Sequence, residues 1–240
     1  APALRPGQPV VVCAKGLERG SDLLMTEVLR EAAPGAAAAI LSGPSFAEDV
    51  AAGLPTAITL AAADLGLAER LAAALATGTF RPYASGDPAG AAIGGAVKNV
   101  LAIACGVAEG KSFGASARAA LIARGFAEMR RFAVALGALP ETLNGLSGLG
   151  DLVLTCSSAQ SRNFAFGLAL GRGESLADAT AHARGVVEGA ATARPVVERA
   201  ESLGVAMPIS AAIAALVEGE IKVDAAIAGL LARPLRIETE

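Results

Sequence analysis

The sequence is poor in the side chains that usually fill a large core or bind a metal. Its 240 residues include no tryptophan, one tyrosine, one histidine and three cysteines, and aromatic residues make up 3% of the chain. The single histidine, His182, disfavours a zinc site and a histidine general base, so we expect no metal. Much of the apolar content is alanine, and 28 glycines are present. We therefore expect a core of small side chains in which helices approach one another closely.

Charge is also scarce, and this excludes several classes of partner. Charged residues make up 18% of the chain and the net charge is −3. No basic patch interleaved with aromatic residues is present, so nucleic acid is not expected as a partner. No run of about 18 uncharged apolar residues occurs, because the longest candidate, 89–108, contains Lys98 and Asn99. We therefore expect no membrane span.

Two further absences concern processing and redox state. The first residues lack the basic segment and long apolar stretch of a signal peptide. The cysteines form no Cys-x-x-Cys pair, and each lies among apolar or small neighbours: Cys13, Cys105 and Cys156. We interpret them as buried, reduced thiols, which fits a cytoplasmic protein.

The glycine fingerprint of dinucleotide-binding domains is missing too. Such a domain opens with a strand followed by G-x-G-x-x-G. The only similar spacing here, at Gly145, Gly148 and Gly150, has the glycines in reversed order and lies in a helical region. We therefore expect the chain to begin partway through a Rossmann-type domain.

Residues 1–87 alternate between strand-like and helix-like patterns. Short apolar runs predict four strands, at 9–14, 38–42, 56–61 and 79–84. The segments between them predict three helices, at 21–33, 45–52 and 64–76. Ser21-Asp22 caps the first in this interpretation, and a Ser45-x-x-Glu48 capping box starts the second. The alternation predicts an α/β layer with a mostly parallel sheet.

From residue 88 onward the apolar spacing is helical. Candidate helices cover 89–111, 115–137, 147–157, 161–171, 175–184, 187–203, 208–219 and 223–232. Pro195 should kink or divide the sixth of them. The predicted fold is therefore an α/β remnant of a Rossmann-type domain, residues 1–87, followed by an all-α substrate-binding and catalytic domain, residues 88–240.

Lys98 is the strongest candidate for a catalytic residue. Its neighbours on a helix are all small or apolar: Ala91, Gly94, Gly95, Leu101, Ala102 and Cys105. Burial of an unpaired ammonium lowers its pKa, which suits a proton donor or acceptor near neutral pH. Gly94 and Gly95 would let a flat ring or a substrate approach the backbone. The alternative is a partly exposed lysine in a groove between helices.

Two polar segments follow predicted strands. Lys15 ends the first strand, where a cation could polarise a carbonyl or hold an anion, since ligands of open α/β sheets bind at the carboxyl ends of strands. It could equally be an ordinary loop lysine. Gly43-Pro44-Ser45 follows the second strand, and it is either a plain helix start or a polar pocket for a ligand oxygen.

Two more segments carry candidate chemistry. Asp151 lies between a glycine turn and an apolar run, so it is either a helix N-cap or the partner of a buried cation such as Lys98. Ser161-Arg162-Asn163 opens a helix, where arginine, amide and free backbone N–H groups together suit a phosphate. An ordinary helix start is the alternative for this segment.

Together these segments resemble the bacterial NAD(P)-dependent glycerol-3-phosphate dehydrogenases over nearly the whole chain. The motifs that carry the resemblance are Lys15-Gly16-Leu17-Glu18, Gly43-Pro44-Ser45-Phe46-Ala47, Val97-Lys98-Asn99-Val100, residues 145–156, and Ser161-Arg162-Asn163, extended by Arg124-Gly125 with Glu128 and by Val187-Glu188-Gly189. The resemblance implies hydride transfer between NAD(P) and the pair sn-glycerol 3-phosphate and dihydroxyacetone phosphate, in the cytoplasm, for phospholipid synthesis. It also implies an active site between the two domains and a possible homodimer.

The resemblance also implies roles for single residues. Lys98 would be the general acid/base, Asp151 would hydrogen-bond near the reacting oxygen or Lys98, and Lys15 would contact both cofactor and substrate. The other substrate contacts implied are Gly43, Ser45, Asn99, Thr155, Ser161, Arg162 and Asn163, the last three around the phosphate. The cofactor contacts implied are Lys15, Ala47, Arg162, Val186 and Glu188.

Two other functions stay open at this point. One is another hydroxy-acid dehydrogenase with a Gly-x-x-x-Lys helix, as Gly94 and Lys98 would form. Ser161-Arg162-Asn163 argues against it. The other is a non-catalytic helical binding or dimerisation fragment, which would not need Lys15, Lys98 and Asp151 together.

Overall fold

The computed structural model describes residues 4–183, 185–234 and 237. The first part alternates: β1 (Pro9–Val12), α1 (Met25–Ala32), β2 (Ala37–Ser42), α2 (Ala47–Ala51), β3 (Thr56–Ala62), α3 (Leu65–Leu75) and β4 (Phe80–Ser85). The rest is helical: α4 (Pro88–Gly110), α5 (Gly114–Ala135), α6 (Pro140–Asn144), a π-helical turn (Leu146–Gly150), α7 (Asp151–Ser157), α8 (Arg162–Gly171), α9 (Leu176–His182), α10 (Glu188–Ser202), α11 (Pro208–Val217) and α12 (Val223–Leu231). The predicted fold class is confirmed. Residue 184, the predicted end of one helix, lies outside the described residues.

The sheet is mixed rather than uniformly parallel. Its strand order is β1-β2-β3-β4. The outer pairs β1–β2 and β3–β4 are parallel, whereas β2 and β3 are antiparallel. The five-residue helix α2 between them has no buried residue, so it does not cover a face of the sheet as a crossover helix would. The prediction of a mostly parallel sheet therefore misses the reversal at its centre.

The parallel pairing of β1 and β2 is what brings the first candidate residues together. Parallel strands place their carboxyl ends at the same edge of the sheet. Lys15 follows β1 and Gly43 follows β2, and the Lys15 Nζ atom lies 3.4 Å from the Gly43 carbonyl oxygen. The sheet thus presents a lysine at the edge that faces the helical part.

Helix α4 is the centre of the molecule. It begins at an Asp87 N-cap, whose carboxylate accepts from the Gly90 N–H at 2.9 Å, and it has proline at its first position. It is long and apolar enough to cross a membrane, but its apolar window is buried entirely inside the protein, as in a core helix. Gly106 and Gly167 lie in backbone contact where α4 meets α8. The core of small side chains expected from the composition is therefore present.

One hydrophobic cluster joins both parts of the chain. It contains Leu17 and Ile40 from the α/β part together with Val97 and Phe132 from the helices. The division into domains at residues 87 and 88 coincides with the change from strands to helices, but this shared core does not separate two units. The domain boundary stays a prediction.

Glu128, which belongs to one of the motifs that carry the resemblance, has a structural role. Its buried carboxylate accepts from the N–H groups of Ile209, at 2.7 Å, and Ser210, at 3.2 Å, at the start of α11. Burial raises the pKa of this carboxyl above its usual value. Beside it, Gly125 leaves room for the Leu101 side chain of α4. Glu128 and Gly125 therefore hold α5 against α11 and α4.

Several local predictions are wrong for identifiable reasons. Ser45 does not cap α2, because its hydroxyl donates to the Gly43 carbonyl oxygen at 3.2 Å and the N-cap is Phe46. Helix α1 begins at Met25 instead of after Ser21-Asp22, because Glu27 accepts from the Leu24 N–H at 2.8 Å and closes the first turn there. Helix α6 is missing from the predicted helices, because the proline at its first position is its one helix-start signal in the sequence.

Pro195 does not divide its helix. A proline cannot donate to the carbonyl four residues earlier, which here belongs to Ala191. The Arg19 Nε atom donates to that carbonyl at 3.3 Å instead. Helix α10 runs unbroken through Pro195, with this carbonyl satisfied by the arginine. Among the cysteines, Cys105 and Cys156 are buried as predicted, whereas Cys13 is exposed because β1 ends at Val12.

Candidate active site

Two lysines share one buried carboxylate at the junction of the sheet edge and α4. The Lys98 Nζ atom lies 2.5 Å from Asp151 Oδ1, and the Lys15 Nζ atom lies 2.9 Å from Asp151 Oδ2. Asp151 is 1% exposed and Lys98 is 6% exposed. Each carboxylate oxygen therefore holds one ammonium group. The three residues predicted as catalytic from the sequence are in direct contact.

The helical part supplies Asp151 through an unusual local structure. The π-helical turn 146–150 leads directly into α7, and Asp151 is the first residue of that helix. Its carboxylate makes no cap hydrogen bond, so the N-cap interpretation of Asp151 is wrong and the buried-cation interpretation is confirmed. Thr155 follows one turn later on the same face. Its hydroxyl accepts from Lys98 Nζ at 3.0 Å and donates to Asp151 Oδ1 at 3.3 Å.

Burial, the negative charge of Asp151 and the positive charge of Lys15 together set the pKa of Lys98. The pKa of Lys98 is lowered from 10.5 to about 8, because desolvation by burial and the Lys15 ammonium together lower it more than Asp151 raises it. The Cys156 thiol also faces this region, and its pKa is raised by a hydrogen bond with Cys105 and by burial, so it stays neutral. Lys98 can therefore both give and take a proton near neutral pH.

Gly43 and Ser45 lie beside Lys15, and their predicted contact with the substrate stays a prediction. The Gly43 backbone passes so close to β3 that a Cβ would lie 3.0 Å from an Ile58 side-chain carbon and 3.1 Å from its Cα. The Gly43 carbonyl faces the Lys15 ammonium and also accepts from Ser45. This turn therefore presents a backbone carbonyl and a hydroxyl at the edge of the charged group.

A second polar cluster surrounds the start of α10. The Asn99 Nδ2 atom donates to Glu188 Oε2 at 3.2 Å, and Asn163 Oδ1 accepts from the Gly189 N–H at 2.8 Å. Because Asn99 is next to Lys98 in α4, the cluster continues from the charged group. The structure thus places Asn99, Asn163 and Glu188 together, whereas the assignment of the two asparagines to the substrate and of Glu188 to the cofactor stays a prediction.

The start of α8 lies against the same segment. Ser161 is a true N-cap, since its hydroxyl accepts from the Phe164 N–H at 3.3 Å. The Arg162 side chain is exposed, and one of its terminal nitrogens lies 3.1 Å from the place of a Cβ on Gly185. Arg162 therefore extends over the loop that leads to Glu188.

The two remaining candidates contribute only apolar surface. Ala47 is exposed at the start of α2, and Val186 is 67% exposed in the loop before α10. Neither makes a polar side-chain contact, so their assignment to the cofactor stays a prediction.

The residue patterns alone did not indicate Thr155 as a site residue. Its four-residue spacing from Asp151, one helical turn, is the signal that could have indicated it.

Comparison with protein families decides between the open alternatives. The model for the N-terminus of NAD-dependent glycerol-3-phosphate dehydrogenase matches residues 1–68, and the model for its C-terminus matches residues 87–228. The chain belongs to this family. The match supports the dehydrogenase over another hydroxy-acid dehydrogenase or a non-catalytic helical fragment.

Individual relatives agree with the family match. The glycerol-3-phosphate dehydrogenase [NAD(P)+] of Parvibaculum lavamentivorans is 59% identical over 239 residues, which are 100% of this chain and 72% of that protein. The enzyme of Maricaulis maris is 60% identical over 99% of this chain and 72% of its own length. Relatives in this dehydrogenase family are thus longer than the present chain.

Solved structures show the same fold. The crystal structure of glycerol-3-phosphate dehydrogenase from Coxiella burnetii superimposes with a TM-score of 0.88 at 39% identity, covering 93% of this chain and 68% of that one. The enzyme from Saccharomyces cerevisiae gives a TM-score of 0.79 at 26% identity, covering 92% and 67%.

Proposed function

We propose that this dehydrogenase interconverts sn-glycerol 3-phosphate and dihydroxyacetone phosphate with Lys98 as its general acid/base. The observation that carries the assignment is the buried Lys98 ammonium, held by Asp151 and Thr155, with a pKa of about 8. A general acid works best when its pKa lies near the working pH. No histidine lies near this group, because the only one, His182, is exposed and pairs with Glu174.

The polar residues around α10 suit a nicotinamide cofactor. Glu188 offers a carboxylate held in place by Asn99, and the Arg162 guanidinium is free to meet a phosphate oxygen. Lys15, Ala47, Arg162, Val186 and Glu188 would hold it. When bound, NAD(P) supplies or accepts the hydride at the substrate carbon that bears the reacting oxygen.

The two lysines and the aspartate have different roles at that oxygen. In reduction, the Lys98 ammonium donates a proton to the ketone oxygen, and in oxidation the neutral amine removes the proton from the alcohol. Lys15 keeps a second positive charge beside the reacting oxygen, where it stabilises negative charge that develops in the transition state. Asp151 fixes the distance between both ammonium groups because it binds each with one oxygen.

The start of α8 suits the substrate phosphate. A capped helix N-terminus offers backbone N–H groups to an anion, and Arg162 is the first residue of this helix. Asn163 uses its Oδ1 atom for Gly189, which leaves its amide nitrogen to donate to a ligand. Ser161, Arg162 and Asn163 would therefore bind the phosphate, and Asn99, Gly43 and Ser45 would line the path to Lys98.

Replacing Arg162 with lysine should weaken phosphate recognition selectively. A planar guanidinium can bind a phosphate through two hydrogen bonds, whereas an ammonium is a point charge. Loss of one charge-assisted hydrogen bond is worth roughly 1.5–3 kcal/mol, or about 10- to 150-fold in KM for dihydroxyacetone phosphate. Steady-state assays following cofactor absorbance measure this effect in the whole enzyme.

Two controls define the outcome of the Arg162 experiment. Arg172→Lys changes an exposed arginine at the other end of α8 and should leave KM unchanged. Dihydroxyacetone, which lacks the phosphate, should be a poor substrate for the wild type and should lose little further with Arg162→Lys. Equal activity of the wild type on both ketones would exclude a phosphate site and with it the proposed substrate.

We place the reaction in the cytoplasm, where it supplies glycerol 3-phosphate for phospholipid synthesis. The free, buried thiols of Cys105 and Cys156 support a reducing compartment. A homodimer stays a prediction, which light scattering on the purified enzyme tests directly.

A further inference from the structure

We propose that Gly94 and Gly95 are positioning residues that together set the distances among Lys15, Asp151 and Lys98. The inference rests on the proposed role of Lys98. It concerns two adjacent glycines of α4, one turn before Lys98, each of which faces a different partner of that lysine. The sequence suggested that these glycines leave open space for a ring or a substrate. This prediction is wrong, because protein atoms lie where a side chain would be at both positions.

Gly94 faces the turn that delivers Asp151. A Cβ at this position would lie 2.9 Å from the Ser147 carbonyl carbon and 3.1 Å from Gly148 Cα, and it would overlap the Ser147 carbonyl oxygen. The contact is therefore between two backbones, which cannot yield by a side-chain rotation. An added methyl group has to push the π-helical turn away from α4.

The turn itself passes that displacement on to the carboxylate. It is short, residues 146–150, and Asp151 follows immediately. On its other side, Gly148 packs against the Leu143 backbone so closely that it also has no room for a Cβ. The turn is thus held between α4 and α6. A shift away from Gly94 moves Asp151 away from Lys98, because Lys98 lies on α4 itself.

Gly95 faces Lys15. A Cβ here would lie 3.4 Å from both Cγ and Cδ of Lys15 and 2.6 Å from the Ser42 Oγ atom. The Ser42 hydroxyl is buried and has no hydrogen-bond partner in the described part of the chain. Alanine at this position would collide with the Ser42 hydroxyl and meet the stem of Lys15 at van der Waals distance, so we expect a small displacement of Lys15 and a slightly longer contact with Asp151.

A matched control lies on the same helix. Gly106 is in an equally close backbone contact, since a Cβ there would lie 2.8 Å from the Leu168 nitrogen and 3.0 Å from the Gly167 carbonyl carbon. This contact joins α4 to α8 and does not involve the lysines or the aspartate, but the added Cβ would also overlap the Phe164 carbonyl oxygen. Because α8 begins with the proposed phosphate-binding residues, KM for dihydroxyacetone phosphate is expected to rise in this variant, and kcat and the pH midpoint are its control readouts. Gly106→Ala therefore measures what backbone crowding on α4 costs without displacing the charged group.

The experiment compares Gly94→Ala, Gly95→Ala and Gly106→Ala in the whole enzyme. Each variant is characterised by its melting temperature, by kcat and KM for dihydroxyacetone phosphate, and by the pH at which kcat for reduction falls by half. A misplacement of about 1 Å can cost 10²-fold in rate. We expect a fall in kcat of about that size for Gly94→Ala, a smaller fall for Gly95→Ala, and little change in kcat for Gly106→Ala.

The pH profile separates a positioning role from a structural one. Asp151 raises the pKa of Lys98 and Lys15 lowers it. The groups that face Lys98 are these two, the Thr155 hydroxyl and the neutral Cys156 thiol. Gly94→Ala should therefore move the midpoint of the profile to lower pH, and Gly95→Ala should move it to higher pH. Gly106→Ala should lower the melting temperature without moving the midpoint.

The results that overturn the proposal are equally specific. Midpoints and kcat values of Gly94→Ala and Gly95→Ala that match those of Gly106→Ala would assign all three glycines to packing alone. If Gly94→Ala does not fold, Gly95→Ala decides, because its added methyl group meets only side-chain atoms. An active Lys98→Met variant would instead refute the proposed function, so the two failures are distinguishable.

Discussion

Replacing Lys98 with methionine should lower kcat for dihydroxyacetone phosphate reduction by at least about 10²-fold, the lower end of what a general acid contributes. Methionine has a similar volume and no proton to donate. The variant should still fold, because removal of the Lys98 ammonium does not leave a buried charge without a partner. Asp151 keeps its ion pair with Lys15 in this variant.

Lys111→Met is the matched control for Lys98→Met. Lys111 lies at the end of the same helix and pairs with Asp224 at 2.6 Å, at the protein surface. Its replacement should leave kcat unchanged. Initial rates and circular dichroism of both variants give the comparison. Activity of Lys98→Met equal to that of Lys111→Met would remove Lys98 from the mechanism.

Replacing Asp151 with asparagine should damage both rate and stability. The change leaves the Lys15 and Lys98 ammonium groups close together without a counter-charge. Loss of one partner from a buried ion pair costs about 3–5 kcal/mol in the free energy of unfolding, and the amide oxygen retains part of the hydrogen bonding, so we expect a loss near 3 kcal/mol at pH 7. Because Asp151 raises the pKa of Lys98, that pKa should fall below about 8. Fewer enzyme molecules then carry the proton needed for reduction.

The stability loss of Asp151→Asn has a characteristic pH dependence. Lys98 has a lower pKa in the folded variant than in the unfolded chain, so the variant gains stability as the pH rises and the lysine becomes neutral. The deficit relative to wild type should therefore shrink as the pH rises toward about 8 and then stay constant, because above that pH Lys98 of the wild type loses its proton as well; denaturant titrations measure this difference. Asp64→Asn, at an exposed N-cap, is the control and should change stability little at any pH. A deficit that grows with pH would contradict the charge arrangement.

Sequence periodicity predicted the elements well wherever local signals were strong. The first half of α4 shows why, since Asp87 and Pro88 form a standard helix start and the apolar residues that follow have no competing preference. Local signals failed where a distant residue decided the outcome. Arg19 completes the helix that Pro195 would interrupt, and no pattern near Pro195 indicates an arginine far away in the chain.

The candidate site, like the fold, could be predicted from the sequence only in part. A lysine amid small apolar residues already indicated that Lys98 is buried, and burial is what lowers its pKa. The identity of its partner stayed open, because Asp151 also fitted a helix cap in the sequence. The π-helical turn leads Asp151 to Lys98 and packs closely against Gly94 of α4, a contact between distant residues that a local sequence pattern does not indicate.

The pH dependence of kcat, measured in both directions, tests the role of Lys98 most directly. Reduction of dihydroxyacetone phosphate uses the protonated lysine, so its kcat should fall as the pH rises through about 8. Oxidation of sn-glycerol 3-phosphate uses the neutral amine, so its kcat should rise over the same range. Initial rates of the wild-type enzyme from pH 6 to pH 10 give both curves. Two opposite limbs, each with its midpoint near pH 8, are the predicted result, and limbs that run in the same direction, or rates independent of pH, would contradict a Lys98 general acid/base.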